Sequence, residues 1–219
     1  MFDDIIHDVA VYEAGPRLSV EISGKKTFWI YKRTFDICVS LLLLPLLFLF
    51  TIALFCLNPF FNKGSLFFVQ RRMGKDCKGF SAIKFRSMTH IAEILRSFED
   101  PIEIDRITRL GGFIRATRID ELPQILNVLK GDMSLIGPRP DYYPHACEFL
   151  NQVAGYRTRH VVRPGISGLA QVSLGYAMGI EATQKKTNAD QYYISNAGFK
   201  LDARIAVQTL MTVITKAGS

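Results

Sequence analysis

The chain has 219 residues, 48% of them hydrophobic, and a formal net charge of +7. That length allows one main domain with an appendage and excludes a second full domain. Residues 1 to 24 hold five acids (Asp3, Asp4, Asp8, Glu13, Glu21) against Arg17, so the remainder has 26 basic and 15 acidic residues. A body that basic suits nucleic acid, anionic lipid or a polyphosphate ligand, and charge alone does not choose among them.

The four cysteines (38, 56, 77, 147) show no C-x-x-C spacing, and the four histidines (7, 90, 145, 160) form no zinc pattern. A reduced, cytosol-facing protein without a soft-metal site is the expectation. In chain order, residues 1 to 24, with Gly15-Pro16 and Gly24, lack sustained periodicity and read as a mobile tail. The alternative is a helical turn through Phe2, Ile5, Ile6 and Val9 that packs on the body or on another copy of the chain, as in a homo-oligomer.

Lys25 to Arg33 interleaves basic residues with aromatics. Trp29 and Tyr31 suit a membrane interface, and Lys25, Lys26, Lys32 and Arg33 suit its anionic cytoplasmic side. Ile37 to Leu57 is then 21 residues without a charge. Behind an acidic leader this is a poor signal peptide, and it is long enough to cross the hydrocarbon as a helix. Two features favour the other solution, a hairpin that enters and leaves by one leaflet. Basic residues flank both ends (Lys32 and Arg33; Lys63, Arg71, Arg72 and Lys75), and Pro45 near the middle removes a helical hydrogen bond. Each arm beside Pro45 has room for about ten residues, or ~15 Å, half the hydrocarbon depth. Spanning and re-entrant both remain open on the residues alone.

Asn58-Pro59 and Asn62-Lys63-Gly64 end the apolar run, and Phe60 to Phe68 suits the interface plane. Two hairpin strands are expected over Ser65 to Arg71 and Phe80 to Ser87, with Lys84 and Arg86 on one face, suited to phosphate. Residues 89 to 105 read as a helix and an acidic loop. Arg106, Arg109, Arg115 and Arg118 then lead into adjacent carboxylates, Asp120 and Glu121, at the mouth of an apolar helix from Pro123 to Lys130 that Gly131 ends. Neighbouring acids repel unless a cation shares their site, and such pairing sets two carboxylates to different jobs. As simple helix caps they would pair with Arg115 or Arg118. Beyond them, Pro138 and Pro140 hold Arg139 in a rigid extended turn, suited to bidentate contact with phosphate. A long helix is expected from about Asp141 to Thr158, then a loop, Arg163-Pro-Gly-Ile-Ser-Gly168, and a last helix ending near Ile214.

The runs Gln70-Arg-Arg-Met-Gly74, Lys84-Phe-Arg-Ser-Met88, Asp120-Glu-Leu-Pro-Gln124, Asn127-Val-Leu-Lys-Gly-Asp-Met-Ser134, Gly137-Pro-Arg-Pro140 and Asp190-Gln-Tyr-Tyr193 occur in this order. Together they resemble the bacterial sugar transferases, small monotopic phosphoglycosyl transferases that initiate exopolysaccharide assembly. The resemblance runs from about Tyr31 almost to the C-terminus. It implies an α/β fold, mostly helical with a small β-hairpin, on a re-entrant membrane helix broken at Pro45. It also implies a tail (1–24), an interfacial and membrane segment (25–60) and a cytosolic catalytic domain (61–219) on the cytoplasmic face of the inner membrane.

The reaction implied is transfer of a sugar 1-phosphate from a UDP-sugar to a polyprenol (undecaprenyl) phosphate, with release of UMP. Asp120 would be the nucleophile that forms a phosphosugar intermediate, and Glu121 would serve magnesium or the proton, with Mg2+ held by these carboxylates. Lys84, Arg86, Arg115, Arg139 and Arg163 would hold phosphate, Pro138 and Pro140 would shape the site, and Asp190 is a third carboxylate candidate. The family usually has an aromatic where Leu169 stands and an Asn-Gly-Arg run where this chain has Ser173 to Gly179. That departure leaves the sugar open. The competing reading is a membrane-anchored adaptor that binds anionic lipid or a partner through its basic face. A nucleic-acid partner is not expected beside so long an apolar segment.

Overall fold

The computed structural model describes residues 26–62, 64–89, 100, 103–174 and 179–215. Helix α1, Lys26–Phe61, runs 36 residues and keeps both Pro45 and Pro59 within it. Its buried residues are Phe28, Lys32, Asp36, Ser40, Leu47 and Leu54. Steps of four and seven place them on one face, which packs on the body. The other face is apolar and bare, with Leu42 78%, Phe48 69% and Phe55 69% exposed.

Polar contacts fix α1 to the body at both ends. Near its start, Lys32 Nζ donates to Asp202 Oδ2 at 2.7 Å. One turn on, the Asp36 carboxylate accepts from Ser134 Oγ at 2.7 Å and from the Leu135 N–H at 3.2 Å. Just past its end, Asn62 Nδ2 donates to the Arg86 carbonyl at 2.6 Å, and in its last turn Asn58 Nδ2 donates to the Gly64 carbonyl at 2.7 Å.

Strands β1 (Phe67–Met73) and β2 (Gly79–Phe85) form the expected antiparallel hairpin, shifted from its predicted bounds. Because β2 stops at Phe85, Arg86 falls outside the strand and does not share a pleat face with Lys84. Helix α2 (Arg109–Ala116) is capped by Thr108, whose Oγ1 accepts from the Gly111 N–H at 2.9 Å. A 3-10 turn, Ile119–Glu121, leads into α3 (Gln124–Lys130), which ends at Gly131 with φ +100° as its sequence predicted. Buried Asn127 on α3 pins the hairpin: its Oδ1 accepts from the Ile83 N–H at 3.0 Å and its Nδ2 donates to the Ser81 carbonyl at 2.8 Å.

A parallel pair that the sequence reading did not foresee follows, β3 (Ser134–Ile136) with β4 (Gly165–Ser167), in register Ser134↔Gly165 and Ile136↔Ser167. The single helix expected over 141 to 158 is instead α4 (Tyr143–Gln152) and a separate 3-10 segment, Tyr156–His160. The chain turns between them at Gly155, whose φ of +72° does not continue a right-handed helix. Helices α5 (Leu169–Leu174), α6 (Gly179–Ser195) and α7 (Phe199–Ile214) complete the body. The expectations for residues 1 to 24 and for the helix after Thr89 fall largely outside the described residues.

The core has three parts, and one bears on function. Leu47 and Leu54 of α1 pack with Phe85, Ile114 and Ile125, joined at its edge by Leu43, Leu44, Ile119 and Leu122. The turn that carries the paired acids therefore rests on the apolar helix. Asn127→Ala would leave the Ser81 carbonyl and Ile83 N–H unpaired, a cost of about 1–3 kcal/mol. Thermal unfolding in detergent should show a clear drop in Tm; an unchanged Tm would contradict the pinning role.

Candidate active site

Between α2 and the acids the chain must turn sharply, and it does so at Arg118, a non-glycine residue with φ +58° and ψ 11°. Residues 119 to 121 then form one tight turn, and Ile119 and Leu122, three apart, face the α1 cluster. Asp120 and Glu121 are carried between these anchors and are 7% and 5% exposed.

The two acids meet different surroundings. Glu121 Oε1 accepts from Lys84 Nζ at 2.6 Å and also from Arg139 Nη2. Its Oε2 accepts from Arg139 Nη1 at 3.1 Å, and Arg118 Nη1 lies at 3.9 Å. Burial opposes its ionisation, but Arg139 and Lys84 outweigh burial and hold the carboxyl well below the usual range. Glu121 is thus a fixed anion with both oxygens engaged. Burial pushes Asp120 the other way, upward, with Lys84 opposing and Glu121 adding to the rise. Among the described residues no hydrogen bond or ion pair engages the Asp120 carboxylate.

The cations divide in the same way. Desolvation pushes Lys84 down to about 8, against the pull of Glu121. Arg115 lies close enough to act on Asp120 electrostatically, and among the described residues its guanidinium has only the Met88 sulfur, 3.9 Å from Nη1, as a hydrogen-bond partner. Asp120 and Arg115 are therefore an open carboxylate and an open guanidinium side by side. Such a pair can receive a phosphate and attack it.

Arg139 is held from several directions. Its Nη1 also donates to the Ile166 carbonyl at 2.9 Å. Its own carbonyl accepts from Arg159 Nη2 at 2.8 Å, the Pro138 carbonyl from the Gly165 N–H at 2.9 Å, and the Pro140 carbonyl from Arg72 Nη1 at 2.5 Å. Gly137 and Gly165 let the two loops close on each other, since a Cβ on Gly165 would stand 2.2 Å from the Gly137 nitrogen. The carbonyls of the two flanking prolines thus hold Arg139 where it meets Glu121.

Three other predicted site residues lie elsewhere. Arg86 turns to the Ser65 hydroxyl, where α1 ends and the hairpin begins. Arg163 is exposed and donates from Nε to the Gly131 carbonyl at 3.0 Å, at the far end of α3. Asp190 is fully buried and takes Arg159 Nε at 2.9 Å on its Oδ2, while Oδ1 has no partner. Burial raises Asp190, with Arg159 opposing.

Sequence reading missed Arg159, Asp141 and Lys186 as a unit. Asp141 accepts from Arg159 and Lys186, and also from the Tyr156 hydroxyl at 2.7 Å. These partners come from α4's approach, the 3-10 segment and α6, so no local spacing announces them. Asp190 is linked to the acids through Arg159 and the backbone of Arg139.

Magnesium typically binds through one or two carboxylates plus substrate phosphates, with water for the rest. Among the described residues no three His, Cys, Asp or Glu side chains cluster, so no all-protein cage exists. Asp120 fits the smaller requirement as it stands. Glu121 fits it only if Lys84 or Arg139 turns to another anion.

The left-handed turn at Arg118 gives a direct test. A Cβ in that conformation costs about 1–2 kcal/mol. Arg118→Gly should keep the Tm of the parent or raise it, and Arg118→Val should lower it. Equal values for the two variants would contradict the strain.

The family model described as bacterial sugar transferase matches residues 27–216. A UDP-N-acetylgalactosamine-undecaprenyl-phosphate N-acetylgalactosaminephosphotransferase of Aeromonas hydrophila is 42% identical over 188 residues, which are 86% of this chain and 44% of that protein. A UDP-glucose:undecaprenyl-phosphate glucose-1-phosphate transferase of Klebsiella pneumoniae is 37% identical over 83% of this chain and 39% of its own length. An exopolysaccharide production protein of Rhizobium leguminosarum bv. phaseoli is 35% identical over 85% of this chain and 96% of its own. The chain therefore spans less than half of the first two relatives and nearly all of the third. With the match covering most of its length, the chain belongs to the bacterial sugar transferase family.

Proposed function

We propose that this protein transfers a sugar 1-phosphate from a UDP-sugar to undecaprenyl phosphate or a similar polyprenol phosphate, releasing UMP, as the first membrane step of exopolysaccharide synthesis. The observation that carries the reading is the contrast between the acids: Asp120 is open and Glu121 is saturated, on a turn that rests on an apolar helix. The names of the relatives supply the substrate class.

Asp120 attacks the sugar-bearing phosphorus of the donor. A bond forms from its carboxylate oxygen to that phosphorus, and the bond to the bridging oxygen breaks, with the electron pair leaving on UMP. The phosphate oxygen of the acceptor then attacks the same phosphorus and frees Asp120. Arg115 receives the transferred phosphoryl group, and Lys84 and Arg139 share the charge that moves to UMP as Glu121 yields them. Magnesium bound with the donor would be held by Asp120, with Glu121 joining once its cations have turned, and would neutralise the diphosphate.

We further infer that α1 is re-entrant and that the body lies on the cytoplasmic face of the inner membrane, against anionic lipid. In support, contacts at Lys32 and at Asn62 tie both ends of α1 to one body, about 45 Å apart along a straight helix. A helix anchored so to a folded unit on one side does not carry its far end across, and Pro45 gives it a place to bend.

Two measurements test the reading. Asp120→Asn in detergent-solubilised protein, given undecaprenyl phosphate, magnesium and a panel of UDP-sugars, should lose UMP release by at least about a thousandfold, as for loss of a nucleophile. Variant protein that stays folded and membrane-bound yet still turns over would refute the assignment. Second, kcat/KM should fall as pH rises through about 8, where Lys84 loses its proton and its hold on phosphate. Lys84→Arg should move that alkaline limb upward; an unmoved limb would mean that another group titrates.

A further inference from the structure

The C-terminal end of α3 carries a feature that the transfer reaction does not use. Arg33 of α1 donates from Nη1 to the Val128 carbonyl at 2.8 Å and from Nη2 to the Leu129 carbonyl at 3.3 Å. From the loop before β4, Arg163 Nε donates to the Gly131 carbonyl. The two guanidiniums thus converge on Gly131 and repel each other there. Capping the last carbonyls of α3 accounts for part of this arrangement. Among the described residues it leaves both Nη groups of exposed Arg163 without a partner.

Among the described residues no carboxylate lies within ion-pair distance of either arginine. Asp132, the nearest acid in sequence, is engaged by Lys130 at 3.2 Å and by Asn127 Nδ2 at 3.3 Å. Asp36 is turned to Ser134 and Leu135. A free fork beside a second guanidinium is a receptor for a phosphate oxyanion.

Its depth indicates which phosphate. Arg33 precedes the charge-free run at Ile37 by four residues, or ~6 Å at helical rise, and the headgroup layer on one side of a bilayer is roughly 5–8 Å thick. Exposed Ile30, Tyr31 and Phe35 flank Arg33 on the same helix. The place is also distinct from the paired acids. Asp120 and Glu121 precede the start of α3, and the arginines meet at its end, about 10 Å further along seven residues of helix.

We propose that Arg33 and Arg163, on either side of Gly131, form a seat for the phosphate of an anionic phospholipid in the headgroup layer. The seat orients the body on the membrane by gripping lipid at the end of α3 remote from the reacting phosphates. This rests on the membrane placement proposed above.

Trp29, the single tryptophan, lies one turn from Arg33 and reports on the site. The full chain would be placed in phosphatidylcholine nanodiscs carrying equal small fractions of headgroup-spin-labelled phosphatidylglycerol or labelled phosphatidylcholine. Wild-type Trp29 should be quenched more strongly by the anionic label. Arg163→Gln should cut that preference by about five-fold, the attraction expected of one basic side chain for an anionic surface, and adding Arg33→Gln should abolish it. Because Arg33 also caps α3, circular dichroism would accompany the double variant, and Arg163→Gln decides the matter if that variant unfolds. Equal quenching by both lipids in wild type, or an unchanged preference in Arg163→Gln, would overturn the proposal. So would loss of the wild-type preference in millimolar inorganic phosphate, which would assign the seat to a soluble anion. Failure of wild type to enter nanodiscs of either kind would instead sink the membrane placement.

Discussion

The grip of Arg139 and Lys84 on Glu121 is the interaction on which the site depends. It joins three elements remote in sequence: the hairpin through Lys84, the tight turn through Glu121 and the proline-flanked loop through Arg139. Removing one partner of such a buried set costs about 3–5 kcal/mol, because charge is left uncompensated. It also explains how adjacent acids coexist. Glu121 takes nearly all of the local positive charge, so Asp120 remains without a bonded partner and burial raises it above an ordinary aspartate. One acid builds the cradle that the other uses.

The second constraint is the floor beneath the turn. Ile119 and Leu122 pack on the cluster that holds Leu47 and Leu54 of α1 with Phe85, Ile114 and Ile125, so the acids cannot move away from it without opening a core. A lipid substrate presents its phosphate where headgroups lie, and a sugar nucleotide arrives from water. In the proposed reaction, a site that rests on a half-exposed apolar helix on one side and is lined by arginines on the other would serve both. The ions behind it, buried Arg159 and Asp190 with half-buried Asp141 and Lys186, stiffen the loop that presents Arg139.

Local chemistry made much of this legible in the sequence. The hairpin, the end of α3 at Gly131 and the rigid setting of Arg139 follow from turn residues, alternation and proline geometry, each acting within a few positions. The partition of roles between Asp120 and Glu121 was not legible, because it depends on Lys84 and Arg139, 37 and 18 residues away from Glu121. The same reason hid the surroundings of Asp190: nothing near it in sequence shows that Arg159 encloses it. Arg86 was misread through an error of two residues in where β2 ends, enough to remove it from the strand face. The break at Gly155 was missed because the expected helix was carried through a glycine whose φ of +72° a right-handed helix does not accept.

The most direct test of the account is intact-mass and peptide-level analysis of the detergent-solubilised protein, mixed with its UDP-sugar and magnesium but no lipid acceptor. The account predicts a mass increase of one phosphosugar, mapped to the peptide bearing Asp120 and absent from Asp120→Asn. An adduct on Glu121, or full turnover on later addition of undecaprenyl phosphate with no adduct ever formed, would contradict it.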